Sequence, residues 1–219
     1  MELEVIVAEL SQEQRDNYDC VVHFLAPGSK AGQLLNFLAG AAGVGKSKLL
    51  KAIVLYLRLQ FGSKAAEVVA QTNAAAKLVD GHTIDSTFPA VITKQVSDEK
   101  ALKRKQAAIN NFRERFSHVK LLIHEEHSLT NSETIYHIHC CFCAAFPEKA
   151  HLPFAGFHVT FACLCPNHFY FVFNFHAGSQ RWRFFPASSC FGLRSIQSRS
   201  KRQRNYWSKL HREYFQFVL

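Results

Sequence analysis

Eight consecutive residues constrain this chain more than any others: Gly40-Ala41-Ala42-Gly43-Val44-Gly45-Lys46-Ser47 is a complete G-x-x-x-x-G-K-S. An apolar run from Leu34 to Ala39 precedes it and reads as a buried strand. Lys46 to Phe61 follows as a helix, with Leu49, Leu50, Ile53, Val54 and Leu57 on one face. Strand, glycine-rich turn and helix in that order form the setting in which this spacing cradles phosphate. Glycine lets the backbone turn its N–H groups inward, because no Cβ blocks the left-handed conformations required. The helix beginning near Lys46 adds its positive N-terminal end. Lys46 is then expected to reach the β- and γ-phosphates, and Ser47 to hold Mg²⁺. The bland alternative is a glycine-rich turn with no ligand, and the matching context weighs against it.

The flanking sequence repeats the alternation of strand and helix, which predicts an α/β fold with a parallel sheet. Gln12 to Leu25 is helical, opened by Ser11 as N-cap. Ala66 to Ala70 is a second strand, followed by a short helix from Asn73 to Val79. Ser97 or Asp98 caps a long charged helix that runs to about Phe116. Val119 to Ile123 fits a third strand, Thr130 to Phe146 a helix, and Phe157 to Ala162 a fourth strand. Beyond Cys163 the periodicity decays and no elements are placed.

A phosphate loop needs a carboxylate at the end of a neighbouring strand to organise Mg²⁺ and the attacking water. Leu121-Leu122-Ile123-His124-Glu125-Glu126 is the candidate. An Asp-Glu pair is expected there, and His124 stands at the first of those positions. Neutral imidazole is a poor ligand for a cation that prefers oxygen. On this reading the metal half of the site is damaged, and Glu125 remains as the base that orients water.

Taken together, these segments resemble the Pif (petite integration frequency) family of ATP-dependent DNA helicases, especially the helicase region of Helitron transposons. The likeness begins at Leu10-Ser11-Gln12-Glu13-Gln14 and continues through Phe37-Leu38-Ala39-Gly40 and the phosphate loop. It includes Gln71-Thr72-Asn73-Ala74-Ala75-Ala76-Lys77, then Gly81-His82-Thr83-Ile84-Asp85-Ser86-Thr87-Phe88. It ends with Leu121 to Glu125 and Leu152-Pro153-Phe154-Ala155-Gly156-Phe157-His158-Val159. The resemblance implies a first RecA-like domain over residues 8 to 165 that binds ATP and Mg²⁺ and contacts single-stranded DNA. It implies Gln14 as the adenine contact, and residues 40 to 47 as the nucleotide cradle. Thr72, Asn73, Thr83 and Phe88 are implied as DNA contacts. DNA repair, recombination, telomere maintenance and a nuclear location follow from the same likeness.

Three departures narrow those implications. His124 replaces the metal-side Asp, Asp85 stands where the family more often has His, and Cys163-Leu164-Cys165-Pro166-Asn167 replaces Gly-Asp and its sequel. No second P-loop-like domain is recognised after residue 162, so the arginine such a domain supplies is expected to be missing. ATP binding with weak or absent turnover is the resulting expectation. The alternatives are a non-catalytic nucleotide- and DNA-binding module, or an inert relic of a mobile element.

The remaining composition bears on partners. The net charge of +9 is concentrated at the end: residues 181 to 219 carry 9 Lys and Arg against the single Glu213. There Arg181, Arg183, Arg194, Arg199, Lys201, Arg202, Arg204, Lys209 and Arg212 interleave with Trp182, Tyr206, Trp207 and Tyr214. Cations beside rings suit single-stranded nucleic acid, and a basic end with no selected partner is the competing reading. Residues 166 to 219 are therefore set apart as an aromatic and basic segment, which either reading leaves as folded or disordered.

Seven cysteines, an odd number, behind a head carrying Glu2, Glu4 and Glu9, do not make a secreted disulfide scaffold, and an intracellular chain is expected. Cys140, Cys141 and Cys143 with His137 and His139, and Cys163, Cys165 and His168, are spaced too irregularly for zinc to be expected. His124-Glu125-Glu126-His127 lacks the i, i+4 histidines of a metalloprotease helix. Phe157 to Phe175 is long enough to span a membrane, but His158, Pro166, Asn167, His168 and Asn174 are costly in hydrocarbon, so no membrane partner is expected.

Overall fold

The computed structural model describes residues 2–164 and, as backbone strands, 169–176 and 181–186. In chain order the helices are α1 (Glu2–Ala8), α2 (Gln12–Leu25), α3 (Lys46–Phe61), α4 (Asn73–Leu78), α5 (Ile84–Thr87), α6 (Glu99–Phe116) and α7 (Ser132–Ala145). The strands are β1 (Gln33–Gly40), β2 (Ala66–Ala70), β3 (His82–Thr83), β4 (Leu121–Glu125), β5 (His158–Leu164), β6 (Phe169–His176) and β7 (Arg181–Pro186). They form one sheet in the order β3-β2-β4-β5-β1-β6-β7. The first five positions in that order pair in parallel. β6 and β7 add to the β1 edge as antiparallel strands. The α/β architecture with a parallel sheet is as the sequence predicts.

Two apolar layers cover the sheet. On one face Leu34, Leu38, Val68, Leu121, Ile123 and Ala162 pack with α2 and α3 through Val21, Leu49, Ile53 and Leu57. On the other, Leu35, Val69, Leu122, Val159 and Phe161 pack with Ile84, Phe88, Phe112, Phe116, Ile138 and Phe142. Alternate residues of a strand point to opposite faces, so β4 assigns Leu121 and Ile123 to the α3 side and Leu122 to the α6 and α7 side.

Local chemistry sets the ends of the elements. Ser11 and Gln14 form a capping box at α2, each side chain bonding the other's backbone. Asp98, of the two expected caps, opens α6 by accepting from Ala101 N at 2.7 Å. Asn131 caps α7 through Thr134 N at 2.8 Å, so this helix starts later than the apolar pattern suggests. β4 likewise begins late, because the backbone N–H of Lys120 bonds Ala65 O at 2.7 Å before the ladder starts. The strand then runs two residues beyond the apolar stretch, into His124 and Glu125. Sequence periodicity placed neither α1 nor β3. α1 is short and held to α3 by Lys51–Glu2 at 3.1 Å and by Lys48–Glu9 at 2.6 Å just beyond its end.

Among the described residues no helix is long and apolar enough to cross a membrane, and the stretch from His158 is strand. Of the basic and aromatic end, Arg181, Trp182 and Arg183 fall in β7. Arg194 and the later cations and rings lie outside the described residues.

Candidate nucleotide and nucleic-acid site

The loop joining β1 to α3 is built by its glycines. Gly43 and Gly45 adopt φ of +78° and +84°, conformations that L side chains rarely enter. Gly45 is also the residue before α3, and a Cβ there would stand 2.6 Å from Gln14 Nε2. Lys46 folds back over the loop, its Nζ donating to Gly40 O and Ala41 O at 2.8 Å each. The ammonium is thereby held above the loop that Gly40, Ala41, Ala42, Gly43 and Val44 form. Ser47 follows it in the first turn of α3.

Gln14 occupies a different place from the one the sequence suggests. It is 6% exposed. Its Oε1 accepts from Ser11 N at 2.9 Å and its Nε2 donates to Val44 O at 2.6 Å. With one bond at each end of the amide, Gln14 braces the phosphate loop against α2 in this conformation. The capping box already uses the oxygen, which is the physical reason for the difference.

The carboxylates also need a correction. Glu125 ends β4 in register with Ala70 of β2, on the α3 side of the sheet. Burial raises its pKa, the charge of Lys46 opposes that rise, and Glu126 reinforces it, so both groups lie within electrostatic reach of the carboxyl. Glu125 Oε2 and Glu126 Oε2 are buried without a hydrogen-bond partner among the described residues. Glu126 is held at φ 54°, ψ 37°, in the left-handed region, where the chain turns sharply off the strand.

His124 lies on the other face. It is fully buried, its Nε2 sits 2.9 Å from Thr130 Oγ1, and its ring packs 5.7 Å from Phe161 and 5.2 Å from His127. Burial, and then His127, lowers its pKa to about 3, so it is a neutral core residue. His124 is therefore not at the metal-side position of the site. The acidic pair available to the loop is Glu125-Glu126, one residue later than the motif comparison places it. Strand alternation carries the signal for this: counting by twos from Leu121 reaches Glu125, not His124.

The expected DNA contacts divide. Thr72 and Asn73 are exposed where β2 gives way to α4, and Thr72 Oγ1 caps that helix through Ala75 N at 3.2 Å. Thr83 ends the adjacent β3 and caps α5 through Ser86 N at 3.3 Å. These residues sit at the C-terminal edge of the sheet, the edge from which the phosphate loop also leaves. Phe88 does not join them. It is 1% exposed, with ring centres 5.5 Å from Phe112 and 5.8 Å from both Phe116 and Phe142. A core aromatic of this kind is unavailable to DNA.

Of the cysteine and histidine cluster, Cys165 and His168 lie outside the described residues, and His137 and His139 make structural bonds. His137 bonds Phe88 O at 2.9 Å and Thr93 Oγ1 at 3.0 Å. His139 Nδ1 accepts from Phe154 N at 3.0 Å. That bond fixes a turn in which Phe154 (φ 48°), Ala155 (φ 49°) and Gly156 (φ 78°) are all left-handed. Gln33 Nε2 ties the same turn to β1 through Pro153 O at 2.6 Å and Phe157 O at 2.7 Å. A cleft of about 500 Å³ opens elsewhere, at the β2 and β3 edge among Arg58, Lys64, Glu67, Asp80, His82 and Arg115. The Arg115–Glu67 pair at 2.5 Å lines it, and Lys46 is not among its lining residues.

The family model of the PIF1-like helicase matches residues 9–166. The ATP-dependent DNA helicase PIF1 of Saccharomyces cerevisiae is 30% identical over 125 residues, which is 57% of this chain and 14% of that protein. Among solved structures, the Pif1 helicase of Candida albicans superposes with a TM-score of 0.54 at 25% identity, covering 70% of this chain and 32% of that one. A Bacteroides Pif1 helicase in complex with ADP-AlF3 and single-stranded DNA gives a TM-score of 0.50 at 18% identity, covering 92% of this chain and 36% of that one. The chain thus spans about a third of the solved relatives and a smaller part of the curated one.

Proposed function

The chain belongs to the PIF1-like helicase family, and we propose that it is the nucleotide-binding core of an ATP-dependent DNA helicase. One observation carries the reading: the loop of residues 40–47 sets Lys46 within electrostatic reach of the Glu125 carboxyl at the C-terminal edge of a parallel sheet. ATP with Mg²⁺ suits the residues present. The left-handed glycines leave room for phosphate, and two buried carboxyl oxygens await a cation or a water. When bound, the nucleotide supplies a phosphoryl group and the cation neutralises the charge developing on it.

The roles of the chain's own residues follow. With nucleotide bound, Lys46 would exchange the carbonyls of Gly40 and Ala41 for phosphate oxygens, and the Ser47 hydroxyl would hold Mg²⁺. Glu125, within electrostatic reach of Lys46, takes the carboxylate position on the cation side. Glu126 beside it orients water and accepts its proton. Thr72, Asn73 and Thr83 contact single-stranded DNA along the same edge, and Gln14 transmits the state of the loop to α2. Magnesium use, a role in repair and recombination, a Helitron origin and a nuclear location belong to this proposal as well.

His124 supplies no reason for impaired turnover, since it does not face the site. The alternative is a non-catalytic nucleotide- and DNA-binding module. ATPase rate with and without single-stranded DNA, for the chain as it stands and for Lys46→Ala and Glu126→Gln, tests the assignment. Nucleotide binding lost in the first variant and retained without turnover in the second is expected. Binding that survives Lys46→Ala would refute it, and binding with no turnover in the unaltered chain would favour the non-catalytic module.

A further inference from the structure

α6 ends at Phe116 and turns directly into the start of β4, whose far end is Glu125. Eighteen helical residues span about 27 Å and five strand residues about 16 Å. Chain direction and these lengths place the first turns of α6 toward the C-terminal edge of the sheet. Charge is concentrated there. Lys94, Lys100, Lys103, Arg104 and Lys105 face only Asp98 and Glu99 within residues 94–105.

Asp98 is occupied as the helix cap, and Glu99 pairs with Lys103 at 2.6 Å. Lys105 Nζ bonds Lys94 O at 2.9 Å, which draws the segment carrying Lys94 against the second turn of the helix. Lys94, Lys100 and Arg104 remain exposed, with no ion pair among the described residues. Residues 100 and 104 are i, i+4 neighbours on one face. A cation in the first turn opposes the helix dipole, so Lys100 is unfavourable for α6 itself. The stretch from Thr93 to Ala107 holds no aromatic residue that would stack on an unpaired base.

We infer that Lys94, Lys100 and Arg104 form a surface for the phosphate backbone of duplex DNA, separate from the single-strand track. The inference rests on the proposed DNA function and names where the paired part of the substrate lies. Cations on a helix face without rings read charge spacing and not bases, which suits a duplex flanking the strand.

The test compares the chain with its Lys94→Gln/Lys100→Gln/Arg104→Gln variant. A labelled blunt duplex and oligo-dT of equal length are titrated over a range of salt by fluorescence anisotropy, with circular dichroism to confirm the fold. A second variant, Lys30→Gln/Lys64→Gln/Lys149→Gln, removes the same charge elsewhere. Three lost phosphate contacts should reduce the duplex salt slope by about 2.7. Oligo-dT binding and the second variant should keep their slopes. An unchanged duplex slope in the first variant overturns the surface. An equal loss on both nucleic acids, or in both variants, overturns its assignment to duplex. Binding of oligo-dT but not duplex by the unaltered chain removes the surface alone, whereas binding of neither removes the DNA reading with it.

Discussion

Replacing His124 by Asp separates the two accounts of the site. If His124 occupied the metal side, restoring the carboxylate would revive DNA-stimulated hydrolysis. The structure predicts the reverse. The new carboxyl would enter a fully buried position bounded by Phe161 and His127, where the Thr130 hydroxyl beside it offers no positive charge to balance it. An unpaired buried charge, or the cost of neutralising it, destabilises by about 3–5 kcal/mol. For a chain of this size that lowers Tm by about 6–20 °C. Thermal melts and ATPase assays on the same preparation decide the matter. By contrast Glu125→Gln, at a site where burial already disfavours the charge, should leave Tm unchanged or slightly raised while turnover is lost. Higher ATPase activity in the His124→Asp protein at unaltered Tm would refute the assignment of faces along β4.

Gly45→Ala should cost about 1–2 kcal/mol for the left-handed backbone and displace Gln14, so weaker analogue binding by calorimetry is expected along with a lower Tm. Phe88→Ala should cost about 3–5 kcal/mol in denaturant titrations, while oligo-dT affinity of the folded fraction stays as it was. His158 accepts from Leu34 N at 2.9 Å and is held neutral, its pKa lowered to about 4 by burial and then by Lys120. The unfolded chain titrates near 6.5, so this stabilisation is complete above about pH 6.5 and is lost as pH falls toward 4. The loss amounts to about 3 kcal/mol at most. His158→Gln should flatten that acid limb in stability measured against pH, because an amide oxygen accepts the same bond without titrating.

The strands and helices around the phosphate loop are legible because their signals are local. Ser11 and Gln14 cap α2, glycines close the turn before α3, and short apolar runs mark β1 and β2. What escapes is set by partners distant in sequence. Gln14 reads as a base contact until Val44 is brought against it. Phe88 reads as an exposed motif residue until α6 and α7 close over it with Phe112, Phe116 and Phe142. β6 was illegible for a further reason. Phe169-Tyr170-Phe171-Val172-Phe173, which pairs along β1, shows no alternation by which to recognise it.

The placement of His124 is a different kind of error, because the information was present. Motif comparison aligns letters, whereas a strand aligns faces with a period of two. Where a motif sits at a strand end, the parity of the apolar run preceding it decides which residue meets the loop. Leu121 and Ile123 are packed on α3, so the next residue on that side is Glu125, and Glu126 is brought near it only because the backbone turns left-handed there. The same parity gives His124 to the aromatic layer, where burial, and then His127, keeps it neutral beside Thr130 and Phe161. A histidine that looked like the loss of a metal ligand is, by this count, a neutral residue of the core.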